Sequence, residues 1–335
     1  MSENYSEPTY SMNINLKKKK NKHNYILHSG LFLVTFVTTL IAGIAWTTGS
    51  LGPYTVDDLI AGLPYAISVL FILSAHEFGH FFAAVYHKIH ASLPYYIPFP
   101  PLPGFFNFGT MGAVIRTRER INDNKAMFDI GIAGPIAGFI ACLIVLIYGF
   151  SNLPPIEYLL NIHPDFLSPE YGTNSIGLEF GDTLLFALLR EIFTKPGDFV
   201  PPMSEVYHYP YLCVGWFGLF VTAMNMVPVG QLDGGHVVFS MFGGKIHEAV
   251  ASVSLIILGV LGILGLLDSF LGLNLGVGWT GWLVWSVILL LIIKVKHPPV
   301  TLFQPLDKGR MILGYISLII LLLSFSPSPF IVSLS

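Results

Sequence analysis

Residues 71–85 read FILSAHEFGHFFAAV, which sets His76, Glu77 and His80 among Phe71, Ile72, Leu73, Phe81, Phe82 and Ala83. The stretch has the composition of a membrane helix. Ionisable side chains at membrane depth are rare and mark function by default, so three within about one turn govern how the rest of the chain is read. The four-residue spacing places both imidazoles on one helix face. Two imidazoles so placed can grip one zinc ion, with Glu77 beside them to take a proton from water, which is the H-E-x-x-H arrangement of zinc hydrolases.

The composition agrees with a membrane setting. Of 335 residues, 53% are hydrophobic and 11% are charged, against about 25% charged in soluble domains. Mean hydropathy is +0.67. Apolar runs long enough to cross a bilayer are expected at 26–48, 60–87, 127–150, 211–242, 250–270, 278–294 and 310–325, the last short enough to lie on the surface instead. The predicted fold class is therefore an all-α polytopic membrane protein of about 6–7 transmembrane helices. The first run follows KKKKNKH (17–23), exceeds a signal-peptide core in length and is followed by no small-x-small site, so a retained anchor is expected. Cys142 and Cys213 lie singly in apolar runs and read as small core residues.

Basic residues give an orientation. With the N-terminus inside, the cytoplasmic segments hold Lys17 to Lys20, Lys22, Lys88, Arg116, Arg118, Arg120, Lys125, Lys245, Lys294, Lys296, Lys308 and Arg310, leaving only Arg190 and Lys195 of the 17 outside. This bias follows the positive-inside rule. The basic residues occur in short clusters between apolar spans, so nucleic-acid binding finds no support. The N-terminus lacks the Arg- and Ser-rich, acid-poor character of a transit peptide, which makes a prokaryotic plasma membrane the expected address.

A two-histidine zinc site needs a third protein ligand and an open position. NMVPVGQLDGGH (225–236) supplies Asp233 at membrane depth, in a span interrupted by Pro228, Gly230, Gly234 and Gly235. Broken helices are tolerated in membranes where they line a polar cavity. Asp268 lies near a helix end, where a cap is its simpler role. His80 precedes Lys88 by about 12 Å of helix, and Asp233 precedes Lys245 by about 18 Å. Both spans run from outside to inside under the charge rule, so the two motifs share the cytoplasmic leaflet. Asn225 can serve either as a donor to a substrate carbonyl or as a helix–helix hydrogen bond. His87, His90 and His236 read as surface or packing residues, with His236 placed to support Asp233.

The pairing of HEFGH with NMVPVGQLDGG resembles the site-2 proteases, a family of intramembrane zinc metalloproteases. Asn225, Pro228, Leu232, Asp233 and Gly234 match the family's N-x-x-P-x-x-x-L-D-G segment, and FDIGIAGPIAG (128–138) is similar to its A-G-P segment. The likeness covers roughly 60–245. With GTMGAVI (109–115) and only residues 151–210 where many bacterial members insert a PDZ domain, the chain looks like the PDZ-less, EGY-like bacterial subgroup. The resemblance implies that His76, His80 and Asp233 bind one catalytic Zn2+, that Glu77 is the base, and that the second to fourth spans form a three-span catalytic core. It implies as substrate a membrane protein with a transmembrane helix, cleaved within the lipid bilayer, in regulated intramembrane proteolysis. The expected layout is a basic cytoplasmic tail (1–25), an anchor span with a short outer loop (26–59), the protease core (60–245) and C-terminal transmembrane helices (246–335). Within the core, 91–120 is rich in Pro and aromatic residues, and the resemblance implies a membrane-dipping β-loop there. That loop offers either an edge for an extended substrate or an interfacial anchor through Tyr95, Tyr96 and Phe99. Residues 151–210 form an extracytoplasmic loop with one amphipathic helix over 181–193. The rival function is a metal-ion transporter using the same ligands, which would favour polar sites stacked across the membrane. The outer halves of the spans are nearly bare of ligands.

Overall fold

A computed structural model describes residues 24–100, 107–172, 176–273 and 275–334. The lysine cluster at 17–22 and residues 101–106 of the expected β-loop lie outside the described residues. The chain is mostly helical. Helix α1 covers Tyr25–Thr48 and α2 Val56–Tyr86, followed by strands β1 (Tyr95–Pro98) and β2 (Thr110–Val114). Helix α3 (Asn124–Ser151) leads into α4 (Ile156–Ile162), β3 (Ile176–Phe180) and α5 (Leu184–Phe193). Helix α6 (Pro210–Met226) precedes α7 (Asp233–Leu271), α8 (Gly281–Ile288) with a π-helical continuation over Leu289–Ile293, α9 (Lys308–Ser324) and β4 (Phe330–Leu334).

Four helices, α1, α2, α3 and α7, are long and apolar enough to cross a membrane, while α6 and the α8 segment are apolar but shorter. Their outward faces carry large apolar side chains, such as Leu33, Val37, Ile67, Phe71, Ile144, Ile256 and Ile263. Water would penalise such a surface, whereas a bilayer covers it. The glycine pair Gly43 and Gly62 lets α1 and α2 approach closely, since a Cβ on Gly43 would stand 2.7 Å from the Gly62 carbonyl oxygen.

The expected span 211–242 is corrected: it is two helices joined by a short loop of bends and turns. Pro228 has no N–H for the helix and disfavours helical backbone at Val227, and α6 accordingly stops at Met226. Gly230 then takes φ +55, and α7 starts afresh at Asp233. Helix α7 also absorbs the run expected at 250–270, with a backbone break at Gly243, where φ is 79. The chain is mostly helical as expected, with two small antiparallel sheets, of which the first falls within the expected β-loop and the second is unforeseen. One is the β1–β2 hairpin, with Tyr95 opposite Val114. The other pairs β3 with β4, bringing residues 330–334 back to 176–180.

Helix α1 fastens the hairpin loop. His28 Nδ1 lies 3.0 Å from the Pro94 carbonyl oxygen, Trp46 donates to that of Asn107 at 2.8 Å, and Thr38 to that of Gly109 at 2.6 Å. Gly109 has φ +78, and a Cβ there would sit 2.4 Å from Thr39 Cα, so glycine is required. The described residues of 152–209 form a packed cap in which Leu159, Phe180, Leu185, Phe186, Leu189 and Val206 are buried. The expected amphipathic helix is α5, which starts after the Thr183 cap and turns Leu185, Phe186 and Leu189 inward. Cys142 and Cys213 are free and buried. Asp268 holds the turn after α7, accepting from the Leu275 amide at 2.9 Å.

Candidate metal centre

His76 and His80 lie one turn apart on α2, and their Nε2 atoms are 3.0 Å apart. Asp233, the first residue of α7, places Oδ2 3.4 Å from His76 Nε2 and 3.5 Å from His80 Nε2. Donors about 2.1 Å from one zinc ion at tetrahedral angles lie about 3.4 Å from each other, so these separations suit a shared ion. The donor set, two imidazoles and one carboxylate, leaves a fourth position open, as catalytic zinc requires. The tautomer fits too. His80 Nδ1 lies 2.7 Å from the Ile130 carbonyl oxygen. That oxygen can only accept, so the ring's proton is on Nδ1 and the Nε2 lone pair faces its two partners.

Neighbouring glycines make this geometry possible. A Cβ on Gly134 would lie 2.1 Å from His80 Nε2, and one on Gly138 would lie 3.1 Å from His76 Cβ. From the other side, a Cβ on Gly79 would come 2.4 Å from the Ala133 carbonyl oxygen. The FDIGIAGPIAG segment thus gives α3 a smooth face on which the α2 histidines rest. Asp233 is positioned by similar means. A Cβ on Gly234 would meet the Met226 carbonyl oxygen at 1.9 Å and one on Gly235 the Gly230 carbonyl oxygen at 2.4 Å. The start of α7 is therefore pressed against the end of α6.

Glu77 is buried beside the cluster, with the Ile115 backbone amide close to its carboxylate. A cavity of about 1010 Å³ opens here. His76, Glu77, His80, Asn225 and Asp233 all line it, so the five candidate residues of the sequence meet in one place. Asn225 stands in the last turn of α6.

Several wall residues escaped the sequence reading. His297 and Gln231 also line the cavity. His297 Nδ1 lies 2.6 Å from the Pro298 carbonyl oxygen, and its Nε2 accepts from His236 Nδ1 at 2.8 Å. Burial, and then the neighbouring His236, push His297 down to about 3. His236 does adjoin Asp233, but its resolved partner is His297. His87 bonds Asp129 at 2.7 Å, and Arg310 reaches the same carboxylate from α9 with Nε at 2.8 Å and Nη2 at 2.6 Å. His90 pairs with Glu119 at the surface. No sequence period announces these links, because their partners lie 29 to 181 residues apart along the chain.

Comparison with known proteins bears on the family. Residues 64–265 match the model of peptidase family M50. The chain is 32% identical over 241 residues to a rice (Oryza sativa subsp. japonica) protein named probable zinc metalloprotease EGY1, chloroplastic, covering 65% of this chain and 38% of that one. The Arabidopsis thaliana protein of the same name is 31% identical over 253 residues, 70% of this chain and 43% of the relative. A rice (Oryza sativa subsp. indica) protein named probable zinc metalloprotease EGY2, chloroplastic, is 29% identical over 199 residues, 59% of this chain and 32% of the relative. The chain thus spans about two fifths of the length of the first two relatives. No solved structure matches it. These relatives are chloroplastic, so the expected prokaryotic plasma membrane has no support among them. The family match takes in more than half of the chain and contains both HEFGH and NMVPVGQLDGG, and the chain belongs to peptidase family M50, the site-2 protease family.

Proposed function

We propose that this chain is an intramembrane zinc metalloprotease that hydrolyses peptide bonds in or near transmembrane segments of other membrane proteins, acting in regulated intramembrane proteolysis. One observation carries the reading: His76, His80 and Asp233 converge beside a buried Glu77, on a cavity lined by α2, α3, the α6–α7 junction and the polar loop residues Thr117, Arg118, Asn122 and Thr301. Zinc, when bound, supplies a Lewis acid that polarises the scissile carbonyl and makes water a nucleophile near neutral pH. Glu77 takes the proton of the attacking water and returns it to the leaving amine nitrogen. Asn225, on the same wall, donates its amide to the carbonyl oxygen as that oxygen gains charge.

A helical substrate hides its peptide bonds in its own hydrogen bonds, so it must be extended before it is cut. Ala113, Val114 and Ile115 line the cavity at the end of β2. Among the described residues strand β2 pairs with β1 alone, and its other edge is the one we assign to an extended segment. We place the β-hairpin at the membrane interface with the cavity on the cytoplasmic side, on the strength of the basic-residue bias.

Ion transport through the same ligands would need polar steps along the bundle. Helix α6 runs from the cap to the cavity over about 25 Å, and it buries Leu212, Cys213, Val214, Trp216, Phe217, Leu219 and Phe220. This apolar packing favours hydrolysis over passage.

The test is cleavage of a transmembrane reporter by the purified chain in vesicles, with zinc measured in the same samples. Wild type is expected to cut. Glu77→Gln is expected to keep its zinc and cut at least about 10²-fold more slowly. Equal cleavage by the two proteins overturns the reading.

A further inference from the structure

The cap holds a second cluster of two histidines and a carboxylate. His163, which ends α4, and His208, in the short 3-10 turn Val206–His208, face each other with Nε2 atoms 2.9 Å apart. Glu205 Oε2 lies 3.8 Å from each of these nitrogens. The three donor atoms belong to three side chains of the 152–209 cap and lie within 4.8 Å of one another.

Two features separate this cluster from an ordinary hydrogen-bonded group. The first is the direction of the His208 lone pair. His208 Nδ1 lies 3.1 Å from the Thr47 carbonyl oxygen, which can only accept, so the proton is on Nδ1 and the Nε2 lone pair points into the cluster. The second is Glu205. Its side chain is only 3% exposed, and Oε1 accepts from the Tyr171 hydroxyl at 2.9 Å. Oε2, aimed at both imidazoles, has no hydrogen-bond partner among the described residues. A buried carboxylate oxygen left unbonded is costly. A cation among the three donors would remove that cost.

We propose that His163, Glu205 and His208 bind a second divalent metal ion, zinc by the chemistry of the donors, that clamps the cap onto the end of α1. Two imidazoles and one carboxylate are borderline nitrogen and oxygen ligands of the kind zinc takes. The separations of 2.9, 3.8 and 3.8 Å bracket the roughly 3.4 Å expected around one tetrahedral ion. His163, the most open of the three at 32% exposure, leaves a solvent-facing fourth position for water. The mechanical role follows from the partners. His163 holds the end of α4, His208 holds the 3-10 turn before α6, and the Thr47 contact carries the link to α1. Zinc here adds to links that already join the three segments, the Tyr158 hydroxyl to the His208 carbonyl oxygen, His163 to His208, and His208 to Thr47.

The test counts zinc per chain in the purified full-length protein after dialysis, by elemental analysis. Wild type is expected to hold two ions. The double variant His76→Ala/His80→Ala is expected to hold one, and so are His163→Ala, at a partly exposed position that tolerates truncation, and Glu205→Gln, which keeps the side-chain shape. A second readout is proteolysis of 152–209 in the His76→Ala/His80→Ala background. Zinc is expected to slow cutting there about tenfold relative to a chelator, and adding His163→Ala is expected to abolish that protection. A wild-type count of one that His163→Ala leaves unchanged, with no zinc protection of the cap, overturns the second site and leaves the two histidines sharing a proton. Failure of the proteolytic reading shows elsewhere, as a count that His76→Ala/His80→Ala does not lower.

Discussion

The two His–His–carboxylate clusters are built alike and are equipped differently. In each, one histidine gives its Nδ1 proton to a backbone carbonyl, Ile130 for His80 and Thr47 for His208, and turns Nε2 towards a second histidine about 3 Å away. In each, one carboxylate oxygen faces both rings. The membrane cluster adds a further buried carboxylate outside the three-donor group, Glu77, and a cavity of about 1010 Å³. At the cap, the neighbouring cavity is about 210 Å³ and is lined by Tyr158, Tyr209 and Tyr211, not by His163, Glu205 or His208. A set of metal donors is therefore not yet a hydrolytic site. What distinguishes the two is a further buried carboxylate beside the donors and the large cavity in front of them.

The sharpest way to break this contrast is to remove donors at each end. His80→Ala or Asp233→Ala is expected to abolish cleavage of a transmembrane reporter, as is a strong chelator, because the ion and its charge are lost together. Glu205→Gln and His163→Ala are expected to leave cleavage within about threefold of wild type. A loss at the cap as deep as that at the membrane cluster would show that the two work as one site.

Next in size is Asn225→Ala. Removal of a donor to the developing oxyanion costs about 10²–10³ in kcat, and Asn225 is not one of the three donor residues. The variant is expected to keep its zinc and lose kcat while KM changes little. If zinc falls in step with activity, Asn225 supports the fold of the α6 end and does not act on substrate.

A smaller effect is expected from the helix face behind the ligands. The Cβ of Gly134→Ala would lie 2.1 Å from His80 Nε2, so the imidazole must move off its line to Ile130. Gly138→Ala meets His76 Cβ at 3.1 Å and asks for a shift of only a few tenths of an ångström. Gly134→Ala should weaken zinc binding about tenfold, the low end of what misdirecting a ligand costs, and Gly138→Ala should weaken it less. The reverse order would mean that α3 and α2 separate as bodies when either glycine is filled.

The sequence disclosed the membrane cluster because its signals are local. His76 and His80 are one turn apart, and Pro228 and Gly230 announce the break that frees Asp233. The matching of two local motifs across about 150 residues came from charge parity and depth, which need no fold. The cap cluster was illegible for the opposite reason. Its donors come from positions 163, 205 and 208, and they meet only because α4 and the 3-10 turn fold against α1. The β3–β4 pairing and the Arg310–Asp129 link are equally non-local. The length of α7 was misjudged because the sequence reading divided at Lys245 an apolar pattern whose backbone breaks at Gly243.

The smallest predicted effect tests the support behind each carboxylate. Tyr171 donates to Glu205 Oε1 at 2.9 Å, which leaves Oε2 to face the histidines. Tyr171→Phe removes that one hydrogen bond, worth about 1 kcal/mol in a typical protein setting and somewhat more to a charged acceptor, and preserves the ring packed against His163 and Phe166. The carboxylate is then free to rotate, and either oxygen can turn towards the rings. Zinc at the cap is expected to bind about fivefold to tenfold more weakly, measured by competition with a chelating dye in the His76→Ala/His80→Ala background. Cleavage by the otherwise wild-type chain is expected to stay unchanged. Unaltered zinc affinity in Tyr171→Phe would mean that the cap itself fixes the Glu205 carboxylate, while a fall in cleavage would show that the order of the cap reaches the cavity through α6.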